Sequence, residues 1–176
     1  MPKREPSNVS DAMTPWYEHR WAWLVLLAVA GTLYLSYSPS YYVGQVGDDA
    51  IYIAGAKSIL HGSYSAFYSP GHPPLTIYPP GYSLILAPFV KMEDPHWELL
   101  KLVSIALTLL NGALFWLLLR TWGKSEFRLL ALGLFLFNPV TVHCSIRVMS
   151  DPFFTTMVLV SFLLLEKVLD QTKDST

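Results

Sequence analysis

The amino-acid sequence predicts an all-α, polytopic membrane protein with about four transmembrane helices and interfacial helices in one large first outer loop. Three observations carry that expectation. Charged residues make up 14% of the 176, against about 25% in ordinary soluble domains, and 52% are hydrophobic. Four long stretches are nearly free of charge. Tryptophans stand at their ends: Trp16, Trp21 and Trp23 at the start of the first, Trp97 before the second and Trp122 after it. Amphipathic rings collect at the membrane–water boundary, so these positions read as anchors. The net charge of -1 provides no basic field, so no nucleic-acid partner is expected and the bilayer is the expected surroundings. Cys144 is the single cysteine, which rules out an intrachain disulfide.

Residues 1–20 are polar and carry Pro2, Pro6 and Pro15, as a cytoplasmic, disordered tail would. The first span is expected at 21–38. It reaches the length of about 20 residues that a 30 Å hydrocarbon core requires, although Ala28-Val29-Ala30-Gly31 within it also fits a cleavage site of small residues. An outer loop covers 39–98. A second span covers 99–119, with Lys101 near its start in a position to snorkel. After a cytoplasmic loop at 120–126, a third span at 127–145 is bent or ended by Asn138-Pro139. An outer turn at 146–151 leads to a fourth span at 152–169 and a cytoplasmic tail at 170–176. The N-terminus, the 120–126 region and the C-terminus hold eight Lys and Arg (Lys3, Arg4, Arg20, Arg120, Lys124, Arg128, Lys167, Lys173). The first loop and the outer turn hold four (Lys57, Lys91, Lys101, Arg147). Both termini are therefore expected in the cytoplasm, with the protein multi-pass in the cell's inner membrane.

The first outer loop holds the chemistry. Nine of the ten tyrosines lie between Tyr34 and Tyr82, and seven of the thirteen prolines between Pro70 and Pro95. Stiffened, ring-rich sequence of this kind suits a folded loop whose tyrosines meet sugars or headgroups. Gly47-Asp48-Asp49-Ala50 opens a short helix. Ile51, Ala54, Ser58 and Ile59 share one face at helical spacing, and Gly62 supplies the stop. Asp48 and Asp49 suit a helix start through capping and the helix dipole. Adjacent carboxylates at a membrane edge also bind a divalent cation or take a proton from a hydroxyl. His61 and His72 are candidate ligands or bases. Tyr78-Pro79-Pro80-Gly81-Tyr82 turns the chain, with Gly81 at the turn, into a membrane-dipping or interfacial segment at 83–90. Arg147 and Asp151 share one tight turn and form either an ion pair or a site, on the same side as Asp48 and Asp49.

These residues together resemble a known pattern. Gly47-Asp48-Asp49-Ala50, Tyr52, Ala56, Ile59-Leu60 and Gly62 come first. Tyr78-Pro79-Pro80-Gly81-Tyr82 with Leu86-Ala87-Pro88-Phe89 follows, then Asn138-Pro139 and Ser150-Asp151-Pro152. In that order the sequence looks like the start of a GT-C-type membrane glycosyltransferase. It is most similar to the branch of the protein O-mannosyltransferases and lipid A aminoarabinose transferases, over about residues 20–170. The resemblance implies a sugar donor carried on a polyprenyl phosphate and a catalytic acid in the first outer loop, at Asp48 or Asp49. The family more often reads Asp-Glu there, which leaves open which of the two acts. It also implies an acidic position at Asp151 that in some members helps hold a metal, here Mg or Mn held by Asp49 and Asp151. Arg147 would meet the donor phosphate by charge, with His72, Tyr52, Tyr78 and Tyr82 as further substrate contacts. The family has more spans than four, so a further membrane subunit or a C-terminal part is expected to complete the site, and the isolated chain is expected to be inactive. The alternative expectation is a non-enzymatic four-helix membrane scaffold or assembly subunit, in which the acids only cap helices. A small transporter is less favoured, because the first two spans carry no charged residue near mid-depth.

Overall fold

The computed structural model describes residues 21–45, 47–90, 97–121 and 124–174. The N-terminal tail with Trp16, Lys3, Arg4 and Arg20, together with Lys91, Pro95, Trp122 and the side chain of Lys173, lies outside the described residues. The described residues form seven α-helices and no strand. They are α1 (Ala22–Tyr37), α2 (Asp48–Leu60), α3 (Pro80–Leu86), α4 (Trp97–Leu118), α5 (Ser125–Leu136), α6 (Pro139–Ser145) and α7 (Asp151–Asp174). Single 3-10 turns extend α1, α3 and α4. Three segments are long and apolar enough to cross a membrane: Ala22–Ser40, Trp97–Leu118 and Asp151–Thr172.

The expected third span takes a different form. It is two helices, α5 and α6, bent by 55° at Asn138-Pro139, and it makes a fourth crossing only if the bent pair counts as one. The physical cause is local. Proline has no N–H, and the residue before it is pushed out of helical backbone, as Asn138 is at φ -61° and ψ 131°. The Asn138 side chain then caps the new helix by accepting from the Val140 N–H. The break frees the Leu136 carbonyl, which would otherwise bond to residue 140. Tyr34 of α1 donates its buried phenol to that carbonyl at 2.7 Å, which ties α1 to the break.

Two hydrophobic cores result. One lies inside the bundle and joins Ala30 and Tyr34 of α1, Ile105 of α4, Leu132 and Leu136 of α5, and Ile146. Helix α4 comes close to its neighbours there because Gly112 lacks a side chain; a Cβ on it would stand 2.7 Å from Leu27 and 2.9 Å from Leu136. The other core seats α2 and α3 on the N-terminal end of α4, through Tyr52, Ile53, Ala56, Tyr82 and Leu86 against Leu100, Val103 and Val148. Between α2 and α3 the chain makes a small hairpin, with the Ala66 N–H donating to Pro73 and the Leu75 N–H to Tyr64.

Several local expectations are corrected. The buried face of α2 carries Asp49, Tyr52, Ile53, Ala56 and Ser58; of the expected set Ser58 is buried and Ile59 packs against this core, whereas Ile51 and Ala54 are only half-buried. Gly81 lies in the first turn of α3 instead of making a turn; its bare Cα lets Phe153 of α7 approach, and a Cβ would meet that ring at 3.0 Å. Gly62 does end α2, at φ 77°. Trp23 turns inward and stacks on Trp116 at 6.0 Å, while Trp21 and Trp97 stay exposed at helix starts.

Lys101 does not snorkel. Its side chain is 2% exposed and donates to the carbonyls of Ser38 at 2.9 Å and Tyr41 at 3.2 Å, with Glu98 2.9 Å away. A cation at the C-terminal end of α1 meets the negative pole of that helix and its unpaired carbonyls. The Lys101→Met variant removes the charged donor from both carbonyls and leaves Ser38 only the Tyr41 N–H at 3.3 Å. Its thermal unfolding in detergent should report a loss of about 1–3 kcal/mol.

Candidate functional site

The candidate site is built where α2 and α3 meet the start of α7. Gly47, at φ 90°, takes the N-cap position of α2, so neither acid is the cap residue; Asp48 and Asp49 fill the first turn. Their side chains point to different places. Asp49 is fully buried. Its Oδ2 accepts the Tyr41 phenol in a short hydrogen bond and the Gly44 N–H at 2.6 Å, and its Oδ1 accepts the Ala50 N–H at 2.8 Å. Asp48 is half-buried, and its Oδ1 accepts the Tyr78 phenol at 2.7 Å.

A file of tyrosines extends from Asp48 toward α7. Tyr52 meets Tyr78 edge-on at 5.4 Å and Tyr82 edge-on at 5.3 Å. Such edge-to-face pairs fix ring orientation. The Tyr52 hydroxyl lies 2.7 Å from Ser150 Oγ, and the Tyr82 hydroxyl 2.7 Å from Ser104 Oγ on α4. Asp151, exposed at the first position of α7, acts electrostatically on Tyr52 together with Asp48. The structure thus brings Asp48, Tyr52, Tyr78, Tyr82 and Asp151 into one cluster. It does not bring in the histidines. His61 and His72 are exposed, and no hydrogen bond or ring contact joins either to the cluster. His72 stands in a turn at φ 46° beside Gly71.

Arg147 forms no ion pair with Asp151. Its guanidinium lies over the Tyr41 ring, 4.7 Å from the centroid, and its buried Nε has no hydrogen-bond partner. Asp49, Tyr41 and Arg147 therefore form a second, more buried row beside the cluster. Among the described residues no three His, Cys, Asp or Glu side chains gather as a metal site would need, and Asp49 already has its donors. The chemistry drawn from this arrangement routes no step through a metal.

The phenols respond to these surroundings. Burial, then the hydrogen bond to Asp49 and its charge, holds the Tyr41 phenol above its ordinary value, against a smaller opposing effect of Arg147. Burial also raises Tyr52, and the hydrogen bond to Asp48 raises Tyr78.

Sequence reading passed over several members of this arrangement. Tyr41 and Gly44 carry no motif. Ser104 and Asn111 are polar side chains inside an apolar run, a signal that membrane depth alone makes informative. No family model matches this chain, and no curated protein or solved structure does either.

The raised phenols set a pH dependence. Above pH 10.0, the ordinary tyrosine value, unfolded chains release protons that the folded protein keeps at Tyr41, Tyr52 and Tyr78. The folded state then binds more protons than the unfolded one, so stability falls as pH rises. Thermal midpoints measured from pH 8 to 11 should decline past about 10. In Asp48→Asn the Tyr78 phenol should titrate lower, followed by its ultraviolet absorbance.

Proposed function

We propose that this chain is the N-terminal, catalytic-loop part of a membrane glycosyltransferase that moves a sugar from a polyprenyl-phosphate donor to a hydroxyl on an extracytoplasmic acceptor. The observation that carries this reading is the division between the two adjacent acids. Asp49 is enclosed and saturated with donors, whereas Asp48 is half-buried and faces a cluster of phenols that ends at Asp151. Asp48 is the general base. It takes the proton of the acceptor hydroxyl as that oxygen attacks the anomeric carbon. The bond from the anomeric carbon to the phosphate oxygen breaks, and its electron pair leaves with the polyprenyl phosphate. Tyr78 holds Asp48 in place, and Tyr52 links it to the start of α7. Arg147, over the Tyr41 ring beside the cluster, is the cation for the phosphate.

In this reading the protein is multi-pass in a cell's inner membrane, with four crossings, both termini in the cytoplasm and the cluster outside. Exposed apolar side chains on α5 and α7, such as Leu134, Phe154 and Phe162, leave surface for lipid or for further spans that complete the lipid-phosphate enclosure. In the rival reading, a non-enzymatic scaffold, Asp48 serves only Tyr78.

Transfer of labelled sugar from polyprenyl-phosphate mannose or glucose, measured in membranes of the cells that make the chain, separates the two. Asp48→Asn should lower transfer by about 100-fold or more with unchanged abundance; retained transfer would remove Asp48 from the mechanism. Asp49→Asn should instead lower thermal stability by about 1–3 kcal/mol, because the buried Tyr41 phenol and the Gly44 N–H lose their charged acceptor.

A further inference from the structure

Beneath Asp151, between α4, α6 and α7, lies a cavity of about 180 Å³. Its wall is formed by Thr108, Thr141, Thr155, Asp151, Phe135 and Cys144, among others. The setting makes this lining unusual. It sits among helices whose other faces are apolar, where polar groups are costly and mark sites. Among the described residues Asp151 has no ion pair there, since Arg147 is turned toward Tyr41. The Asn111 side chain, also in the wall, is held rigidly by Pro152 and Thr156, so the cavity does not owe its shape to a mobile group.

Size and chemistry narrow the occupant. A protein cavity of about 150 Å³ holds benzene, so this one takes a single six-membered ring and little more. An apolar ring would leave Thr141 and Thr155 unmatched and displace water from the exposed Asp151 carboxylate, at a cost; Thr108 already donates to the Ser104 carbonyl. A ring bearing hydroxyls matches them: Asp151 accepts from two neighbouring hydroxyls, the threonines donate or accept, and Phe135 offers a face to the ring's C–H edges. We infer that this cavity is a subsite for one sugar ring, with Asp151 and Thr155 as positioning residues that read its hydroxyls. Asp151 then acts as a hydrogen-bond acceptor for sugar and not as a metal ligand. The inference rests on the proposed glycosyltransferase reading, but it concerns binding alone.

Cys144 supplies the test, because it is the only cysteine in the chain and lies on the cavity wall. The full-length protein in lipid nanodiscs is treated with a small, water-borne, cationic methanethiosulfonate reagent, and modification is followed by intact mass. The reagent should modify Cys144. Polyprenyl-phosphate mannose or glucose should slow modification about tenfold, and bare polyprenyl phosphate should not. Thr155→Val, which keeps the shape but loses the hydroxyl, should raise the donor concentration for half-protection by roughly fivefold. A Cys144 closed to the water-borne reagent would overturn the proposal, as would equal protection by bare lipid or none by either sugar donor. Protection should persist in Asp48→Asn, since that variant removes the base and leaves the cavity. Loss of transfer without protection would thus refute the subsite while sparing the catalytic role of Asp48, and protection with retained transfer would do the reverse.

Discussion

The arrangement depends on one buried amide. Asn111, near the middle of α4, donates from Nδ2 to the Pro152 carbonyl at 2.7 Å, and the Thr156 hydroxyl lies 2.7 Å from its Oδ1 and 2.8 Å from the same carbonyl. Proline at the second position of α7 costs that helix nothing, because an N–H there has no partner within the helix. Its carbonyl is thereby given a partner from another helix. In lipid no water competes for these groups, so each such bond fixes register even where its net worth is below about 1 kcal/mol. Once the first turn of α7 is pinned to α4, Ser150 is placed for Tyr52, Phe153 for Gly81 and Tyr82, and Asp151 for the cavity.

Helices α2 and α3 use the same logic from the other side. Their core rests on Leu100 and Val103 of α4, and Lys101, between those residues, holds the end of α1 through its last carbonyls. The next residues of the chain therefore leave α1 in a fixed direction, which delivers Tyr41 and Gly44 to Asp49. Burial of Asp49 follows from this, since a carboxylate enclosed without charge-assisted donors is strongly disfavoured. Asp48, one residue earlier and rotated about 100° around the helix, escapes enclosure and meets only Tyr78. Adjacent identical residues thus acquire different chemistry from the geometry of one helical turn.

Much of this architecture is legible in the sequence, and the reason is length. Runs of about twenty apolar residues have few alternatives to crossing a bilayer, and Asn138-Pro139 marks its break by rules local to the chain. Gly62 marks the end of α2 in the same way. The site is legible only as a collection of candidates, because its order comes from partners far apart in sequence. Nothing near Lys101 announces that the carbonyls of Ser38 and Tyr41 will stand within reach. The periodic set on α2 captures Ser58 and Ile59 but misses Tyr52, whose polar-tipped ring packs against Tyr78 and Tyr82. Arg147 and Asp151, neighbours on one turn, suggested each other; the Tyr41 ring, about a hundred residues earlier, claims the arginine.

That ring has a consequence for charge. Asp49 takes the Tyr41 hydroxyl at the ring's edge, and Arg147 lies over the same ring's face. The two opposite charges share one tyrosine as a common neighbour. Neither ion gives up its position to reach the other, so the loop retains a positive group at its edge while a negative one stays sealed inside.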